Sequence, residues 1–391
     1  MAISTIIKAA SRMGEVEEYY FSQKLREIAQ MRSEGKAVLN LGIGSPDLPP
    51  SEGVIAELQT ESERSNSHGY QSYIGIPELR TAFAQWYKAW FDVELNPNGE
   101  ILPLMGSKEG IMHISMTYLE PGDEVLVPNP GYPAYRSVAH LTGASIREYA
   151  LEEERGWTPD LEALAKTDLR KVKIMWVNYP NMPTGAQAQR SFYEELIAFA
   201  KAHHILVVND NPYGFILNDQ QLSILSIEGA KAVALELNSL SKSHNMAGWR
   251  IGMLAGDEAY LSTILRFKSN MDSGMFRPLQ VAAVKALSQP AYWYQSVNAI
   301  YRSRREKVYE LLDLLDCQYD KDQVGMFVWA RIPAAYRSGF ELSDEVLYKA
   351  HVFITPGGIF GSQGNDYIRV SLCSESAIFE EAIRKIEKVK L

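Results

Sequence analysis

From Glu124 to Leu237 the chain keeps changing its period. Short β-rich runs, among them Glu124-Val125-Leu126-Val127, Lys173-Ile174-Met175-Trp176-Val177 and Ile205-Leu206-Val207-Val208, are separated by stretches with helical spacing such as Phe192, Leu196 and Phe199. Strands joined through helices form right-handed crossovers, so the alternation predicts an α/β fold with a mostly parallel sheet between helices. Upstream, Phe21, Leu25, Ile28 and Met31 recur at helical spacing and stop near Gly35, which predicts an amphipathic helix from about Glu15 to Ser33. After about Pro290 come a charged helix, Tyr301 to Leu315, and strand-like Met326-Phe327-Val328-Trp329 and Ile368-Arg369-Val370-Ser371-Leu372. The expected organisation is a large domain over 46–288 and a smaller α+β domain built from both ends of the chain, 1–45 and 289–391.

Composition excludes several classes. With 391 residues, 46% hydrophobic and 22% charged, the chain is an ordinary globular protein. A net charge of −9 gives no basic bias, so nucleic acid is not an expected partner. Cys317 and Cys373 stand far apart and outside any Cys/His cluster, which argues against a disulfide framework and a metal site and fits the cytoplasm. No run reaches the length of a membrane span, and the first residues do not read as a signal peptide.

In open parallel sheets, ligands bind beyond the carboxyl ends of the strands. There this sequence is unusually polar. Val127 is followed by Pro128-Asn129-Pro130-Gly131-Tyr132-Pro133, Val177 by Asn178-Tyr179-Pro180-Asn181-Met182-Pro183-Thr184-Gly185, and Val208 by Asn209-Asp210-Asn211-Pro212-Tyr213. The run Ala232 to Leu237 leads to Ser239-Leu240-Ser241-Lys242, with Arg250 eight residues on. Any one of these is an ordinary turn, because Asn, Asp, Gly and Pro are what turns contain. Four strand ends meeting at one crevice with an acid, two tyrosines, hydroxyls and a lysine are not.

A lysine amine becomes a covalent catalyst by forming an imine with an aldehyde, and pyridoxal phosphate is the aldehyde that also needs an acid at its ring nitrogen. Asp210 suits that place, Tyr213 the ring hydroxyl, and Tyr132 a stack on the ring. The phosphate would be held by the turn Gly106-Ser107-Lys108 opening a helix, by Ser239 and Ser241, and by the two-pronged charge of Arg250.

These residues resemble the class I/II aminotransferases, fold-type-I pyridoxal-phosphate enzymes of the aspartate aminotransferase superfamily, over nearly the whole chain. The resemblance rests on Ser239-x-Ser241-Lys242 with Arg250, on Asp210-x-x-Tyr213, and on Pro130-Gly131-Tyr132-Pro133. It implies a seven-stranded sheet in the large domain and a ping-pong transfer of an amino group from an L-amino acid to a 2-oxo acid. Gly44, in Leu41-Gly42-Ile43-Gly44-Ser45-Pro46-Asp47, and Arg369, in Tyr367-Ile368-Arg369-Val370-Ser371, would bind the substrate carboxylate. Tyr70, in Tyr70-Gln71-Ser72-Tyr73, would reach the phosphate of a neighbouring subunit, which implies a homodimer with shared active sites. Where the family reads Asn-Pro-Thr-Gly, this chain has Met182-Pro183-Thr184-Gly185. Either Asn181 supplies the ring-hydroxyl contact from one position earlier or Tyr213 bears it alone, since methionine has no proton to donate.

Other readings leave residues unexplained. Gly42-x-Gly44 lacks the third glycine of a dinucleotide fingerprint. Ser239-x-x-Lys242 matches the nucleophile motif of serine β-lactamases, yet neither Ser-Asp-Asn nor Lys-Thr-Gly accompanies it. The rival that survives is a carbon–sulfur β-lyase on the same scaffold, which begins with the same removal of the α-proton. The substrate stays open among aspartate, alanine, aromatic amino acids, methionine and diaminopimelate. Tyr19, Tyr20 and Phe21 are candidates for an entrance lining, and Arg277 for a second carboxylate.

Overall fold

A computed structural model describes residues 7–15 and 20–389. Its strands in chain order are β1 (Leu39–Asn40), β2 (Ile101–Leu104), β3 (Glu124–Asn129), β4 (Ser145–Ala150), β5 (Val172–Val177), β6 (Leu206–Asp210) and β7 (Ala234–Ser239). There follow β8 (Gly252–Ala255), β9 (Gln318–Tyr319), β10 (Phe327–Arg331), β11 (Val352–Phe353), β12 (Thr355–Pro356) and β13 (Tyr367–Ser371).

Seven strands form one sheet in the order β2-β8-β7-β6-β5-β3-β4. The neighbours from β4 to β7 are parallel, and β8 runs antiparallel to both β7 and β2. Helices cover both faces, so successive residues of a central strand enter different cores. Ile174 and Trp176 pack with Ile111, Ile114 and Tyr135 on one side, while Met175 and Val177 pack with Trp86, Tyr193 and Leu196 on the other. The helix expected around Phe192, Leu196 and Phe199 spans Arg190–His203 with all three buried. Each apolar run ends in polar residues at the carboxyl edge, Asn209 and Asp210 in β6 and Asn238 and Ser239 in β7, and these are buried too. A fully buried polar edge is stable only when its groups find partners, and that edge holds the site.

The two ends of the chain pack together over a separate core. β1 pairs in parallel with β11, and β12-β13-β10-β9 make an antiparallel sheet. The amide of Ser371 donates to the Leu41 carbonyl at 2.7 Å and Thr355 Oγ1 to the Gly42 carbonyl at 3.0 Å. Arg304, 3% exposed, grips both oxygens of Asp47 at 2.7 Å each. Arg304 is the buried partner and Asp47 faces solvent, so removing Asp47 would leave a buried guanidinium without its two-pronged contact. The pair anchors the segment 41–47 where that segment crosses the sheet edge.

The amino-terminal helix is described over Tyr20–Ser33 and a 3₁₀ turn over Ser11–Glu15; Tyr19 lies outside the described residues. One helix differs from its expected bounds. The charged helix starts ten residues before Tyr301 and covers Ala291–Leu314. Pro290 sits at its amino-terminal cap, where its missing N–H costs nothing, so the proline that looks like a boundary is the start of the helix.

Candidate active site

A cavity of about 510 Å³ opens at the carboxyl edge of the sheet. Four strand ends deliver side chains to it. Tyr132 and Tyr135 follow β3, Asn178 and Met182 follow β5, Asp210 ends β6 with Tyr213 beyond, and Ser239 ends β7. Ser107 and Lys108 open the helix Ser107–Tyr118, and the chain ends supply Phe21, Gly44, Phe327, Phe360 and Arg369.

Lys242 is placed by one turn of helix. The Ser239 hydroxyl caps that turn by accepting from the Ser241 amide at 3.2 Å, and Leu240–Ser243 follows. The lysine Nζ donates to the Gly44 carbonyl at 2.6 Å, a bond that joins the large sheet to the amino-terminal segment. Burial pushes its amine down to about 8; Cys373 opposes the shift, while Arg369 and Arg250 add to it. At that value about a tenth of the amine is neutral and nucleophilic at pH 7, against well under a thousandth for an ordinary lysine.

Asp210 is 5% exposed. One carboxylate oxygen accepts from the Tyr135 hydroxyl at 3.0 Å, and the other, Oδ1, is buried without a hydrogen-bond partner. Burial drives its pKa up to about 7, offset in part by Tyr135 and more weakly by Ser107. A carboxylate kept in a cavity with an unsatisfied oxygen is built for a cationic donor from outside the chain. The protonated nitrogen of a pyridine ring is such a donor.

The opposite end of the cavity suits a phosphate. Ser239 Oγ and Ser241 Oγ are 2.9 Å apart, and Arg250 Nη1 donates to Ser241 Oγ at 3.3 Å and to the Ala247 carbonyl at 3.0 Å. Arg250 stands in the left-handed region, φ 56°, which turns its guanidinium back under Gly106. A Cβ on Gly106 would meet the tip of the Arg250 side chain, and φ is +82° there, a backbone conformation that favours glycine. The free amides of the helix at Ser107 begin beside it. Hydroxyls, a guanidinium and a helix amino terminus together fit pyridoxal phosphate's anion, as Asp210 and Lys242 fit its ring and aldehyde.

Arg369 faces this cradle from β13. It is 4% exposed, its Nη2 donates to the Gly42 carbonyl at 2.9 Å and its Nη1 lies 3.2 Å from Met182 Sδ. The guanidinium sits over Phe327 at 3.8 Å and beside Phe360 at 4.7 Å. The electron-rich ring faces favour the guanidinium charge and help fix its place in the cavity. Gly44 is pressed against the same ring, since a Cβ there would run into Phe327.

Two expected residues sit elsewhere. Asn181 does not line the cavity: its amide donates to the Asn178 carbonyl at 3.1 Å and its oxygen accepts from Thr184 Oγ1 at 2.8 Å, so it holds the turn together. The wall carries Met182 and Asn178 in its place, the latter donating to the Asp210 carbonyl. Tyr70 lies outside the cavity on the surface, 93% exposed, near His68 and Phe276. Tyr213 lines the cavity, buried, and burial pushes its hydroxyl well above the usual tyrosine range, so it stays a proton donor.

Sequence reasoning missed Tyr135, Asn178, Phe327 and Phe360. Tyr135 stacks on Trp176, 5.0 Å between centroids, and stands edge-on to Tyr132. The one signal for it was its place one helical turn beyond Tyr132.

Comparison with known proteins agrees with this geometry. Residues 36–386 match the family described as "Aminotransferase class I and II". The LL-diaminopimelate aminotransferase of Dehalococcoides mccartyi strain BAV1 is 40% identical over 98% of this chain and 99% of its own length. The protein of the same name from Aquifex aeolicus is 36% identical over 98% and 99%. Among solved structures, substrate-bound BacF from Bacillus subtilis superposes with a TM-score of 0.94 at 36% identity, covering 99% of this chain and 98% of its own. Thermus thermophilus aspartate aminotransferase, 23% identical with a TM-score of 0.91 over 98% and 100%, shares the fold.

Proposed function

The chain belongs to the aminotransferase class I and II family and is a pyridoxal 5'-phosphate-dependent aminotransferase; from that premise we propose the role of each residue in the cavity. The bound cofactor supplies an electron sink that acidifies the α C–H of an attached amino acid. Lys242 Nζ is the amine that would hold the aldehyde and would move the proton at the substrate Cα. Asp210 would keep the ring nitrogen protonated, Tyr213 would donate to the ring hydroxyl, and Tyr132 would pack on the ring. Gly106, Ser107, Lys108, Ser239, Ser241 and Arg250 would hold the phosphate. Arg369 and the Gly44 segment would hold the α-carboxylate. The 2.6 Å bond from Lys242 to Gly44 carries this reading, because it places the amine against the segment that borders the carboxylate site. The lyase alternative falls away with the family and its aminotransferase relatives.

Arg369→Ala separates substrate binding from cofactor binding. Losing a charge-assisted fork of about 1.5–3 kcal/mol is expected to raise KM by roughly 10- to 100-fold with cofactor retention near that of the unaltered enzyme. Steady-state kinetics and cofactor titration check this, and weak cofactor retention with an unchanged KM would move Arg369 off the substrate site.

We also propose a cytoplasmic homodimer with shared active sites. Support comes from free thiols at Cys317 and Cys373, and from a surface rich in exposed large apolar side chains around Tyr70, including Tyr73, Met271 and Phe276. If Tyr70 completes the partner's phosphate site, a chain carrying Lys242→Ala and a chain carrying Tyr70→Ala make hybrid dimers with one intact site. Mixing the two variants is expected to recover roughly a quarter of wild-type activity. Failure to exceed the sum of the separate variants would confine Tyr70 to its own protomer.

A further inference from the structure

Among the described residues, the charged side chains that line the cavity are Lys108, Asp210, Lys242, Arg250 and Arg369. Each already has a place in the proposed site: Lys108 and Arg250 at the phosphate, Asp210 at the ring, Lys242 at the aldehyde and Arg369 at the α-carboxylate. The wall that remains is Phe21, Ser22 and Leu25 on the helix Tyr20–Ser33, with Ile43 on the segment beside Gly44. None of these four carries a charge. Leu25 breaks the burial pattern of its helix in an informative way. It shares the apolar spacing of Phe21, Ile28 and Met31, yet those are at most 7% exposed and Leu25 is 42% exposed at the cavity mouth. An apolar side chain left in water at the rim of a binding cavity gains by being covered when a ligand enters.

The sequence offered one cation for a distal carboxylate, Arg277. Its Nε instead donates at 2.9 Å to Glu61, a carboxylate only 3% exposed that also accepts from Ser67 at 2.7 Å. Arg277 is thus held in an ion pair with a carboxylate that Arg64 also approaches, at 3.1 Å; turning it to a ligand would break that contact. The surface around Tyr70, which the dimer reading turns toward the partner's cavity, is formed by His68, Gly69, Gln71, Ser273, Met275 and Phe276 and brings no Lys, Arg, Asp or Glu.

We infer that this enzyme selects amino acids with an uncharged apolar side chain, and that Phe21 and Leu25 are its specificity-determining residues. The inference rests on the transaminase reading with Arg369 at the α-carboxylate. A side chain ending in an ammonium or carboxylate would leave water for a wall that, among the described residues, offers it no counter-charge, whereas an aliphatic or aromatic one covers Leu25 and Phe21. It also separates this chain in substrate from relatives named for diaminopimelate, whose side chain ends in both charges.

The test is a single-substrate half-reaction. Purified holoenzyme receives leucine, methionine, phenylalanine, alanine, aspartate, glutamate or LL-diaminopimelate, one at a time with no keto acid, and the loss of visible cofactor absorbance is timed. Leucine, methionine and phenylalanine are expected to react at least about tenfold more efficiently than the three charged amino acids. Leu25→Arg, at a half-exposed position that tolerates a long side chain, is expected to narrow that ratio by at least about tenfold. A wild-type preference for aspartate, glutamate or diaminopimelate overturns the inference and leaves the transaminase reading intact. An unchanged ratio in Leu25→Arg removes Leu25 as a determinant. No absorbance change with any amino acid, alanine included, overturns the transaminase reading itself.

Discussion

Lys242→Ala is expected to cut turnover by about ten-thousand-fold or more while the chain stays folded and holds its cofactor without a covalent link. Two contributions vanish together: the amine that bonds the aldehyde and the base that moves the α-proton, the second worth about 10²–10⁴ alone. The rest of the site is untouched, because the Lys242 side chain donates to the Gly44 carbonyl, and Ser239, Ser241 and Arg250 keep their own contacts. Truncation leaves room where the amine stood, so small primary amines supplied in the buffer should restore part of the rate. A merely structural lysine would show no such rescue. Wild-type turnover in Lys242→Ala would refute the assignment.

Asp210→Asn is expected to act in opposite directions on catalysis and on the stability of the cofactor-free protein. With the cofactor bound, the variant loses the charge that keeps the ring nitrogen protonated, and turnover should fall roughly a hundredfold or more. Without the cofactor, the ionised carboxylate is a burden. Its pKa is raised by burial from 3.8 to about 7, so the folded state binds the proton more tightly than the unfolded chain does. The resulting penalty is nil below about pH 4, grows between about pH 4 and 7, and is complete above that, reaching about 4 kcal/mol. Chemical denaturation of the two cofactor-free proteins should therefore find the variant more stable at pH 8, with the difference shrinking as the pH is lowered toward 5. A difference independent of pH would mean that the ionised Asp210 is not what burdens the empty site.

The same physics decides what could be read from the sequence. Asp210, Ser239 and Lys242 were legible because each follows directly on an apolar run, and the carboxyl edge of a parallel sheet is where such residues converge. β4, Ser145–Ala150, was not legible, since an edge strand with five of its six residues exposed or partly exposed has no apolar run to betray it. The antiparallel direction of β8 depends on pairing with β2 and β7 across more than a hundred residues in one case, which no local pattern encodes. Asn181 and Asn178 show the limit at the site. Both amides lie in one turn, and only the path of the backbone decides that Asn178 reaches the Asp210 strand while Asn181 turns inward to Thr184. Arg277 shows it at the substrate end, where a buried partner 216 positions away, Glu61, removes a charge that the sequence left available.

Borohydride reduction of the holoenzyme followed by peptide mapping tests the central claim most directly. Reduction makes the lysine–cofactor link permanent, and the account predicts one modified residue, Lys242, in the peptide beginning Ser239-Leu240-Ser241, with loss of the modification if excess amino acid is added before the reductant. Cofactor fixed on any other lysine, or on none, would contradict it.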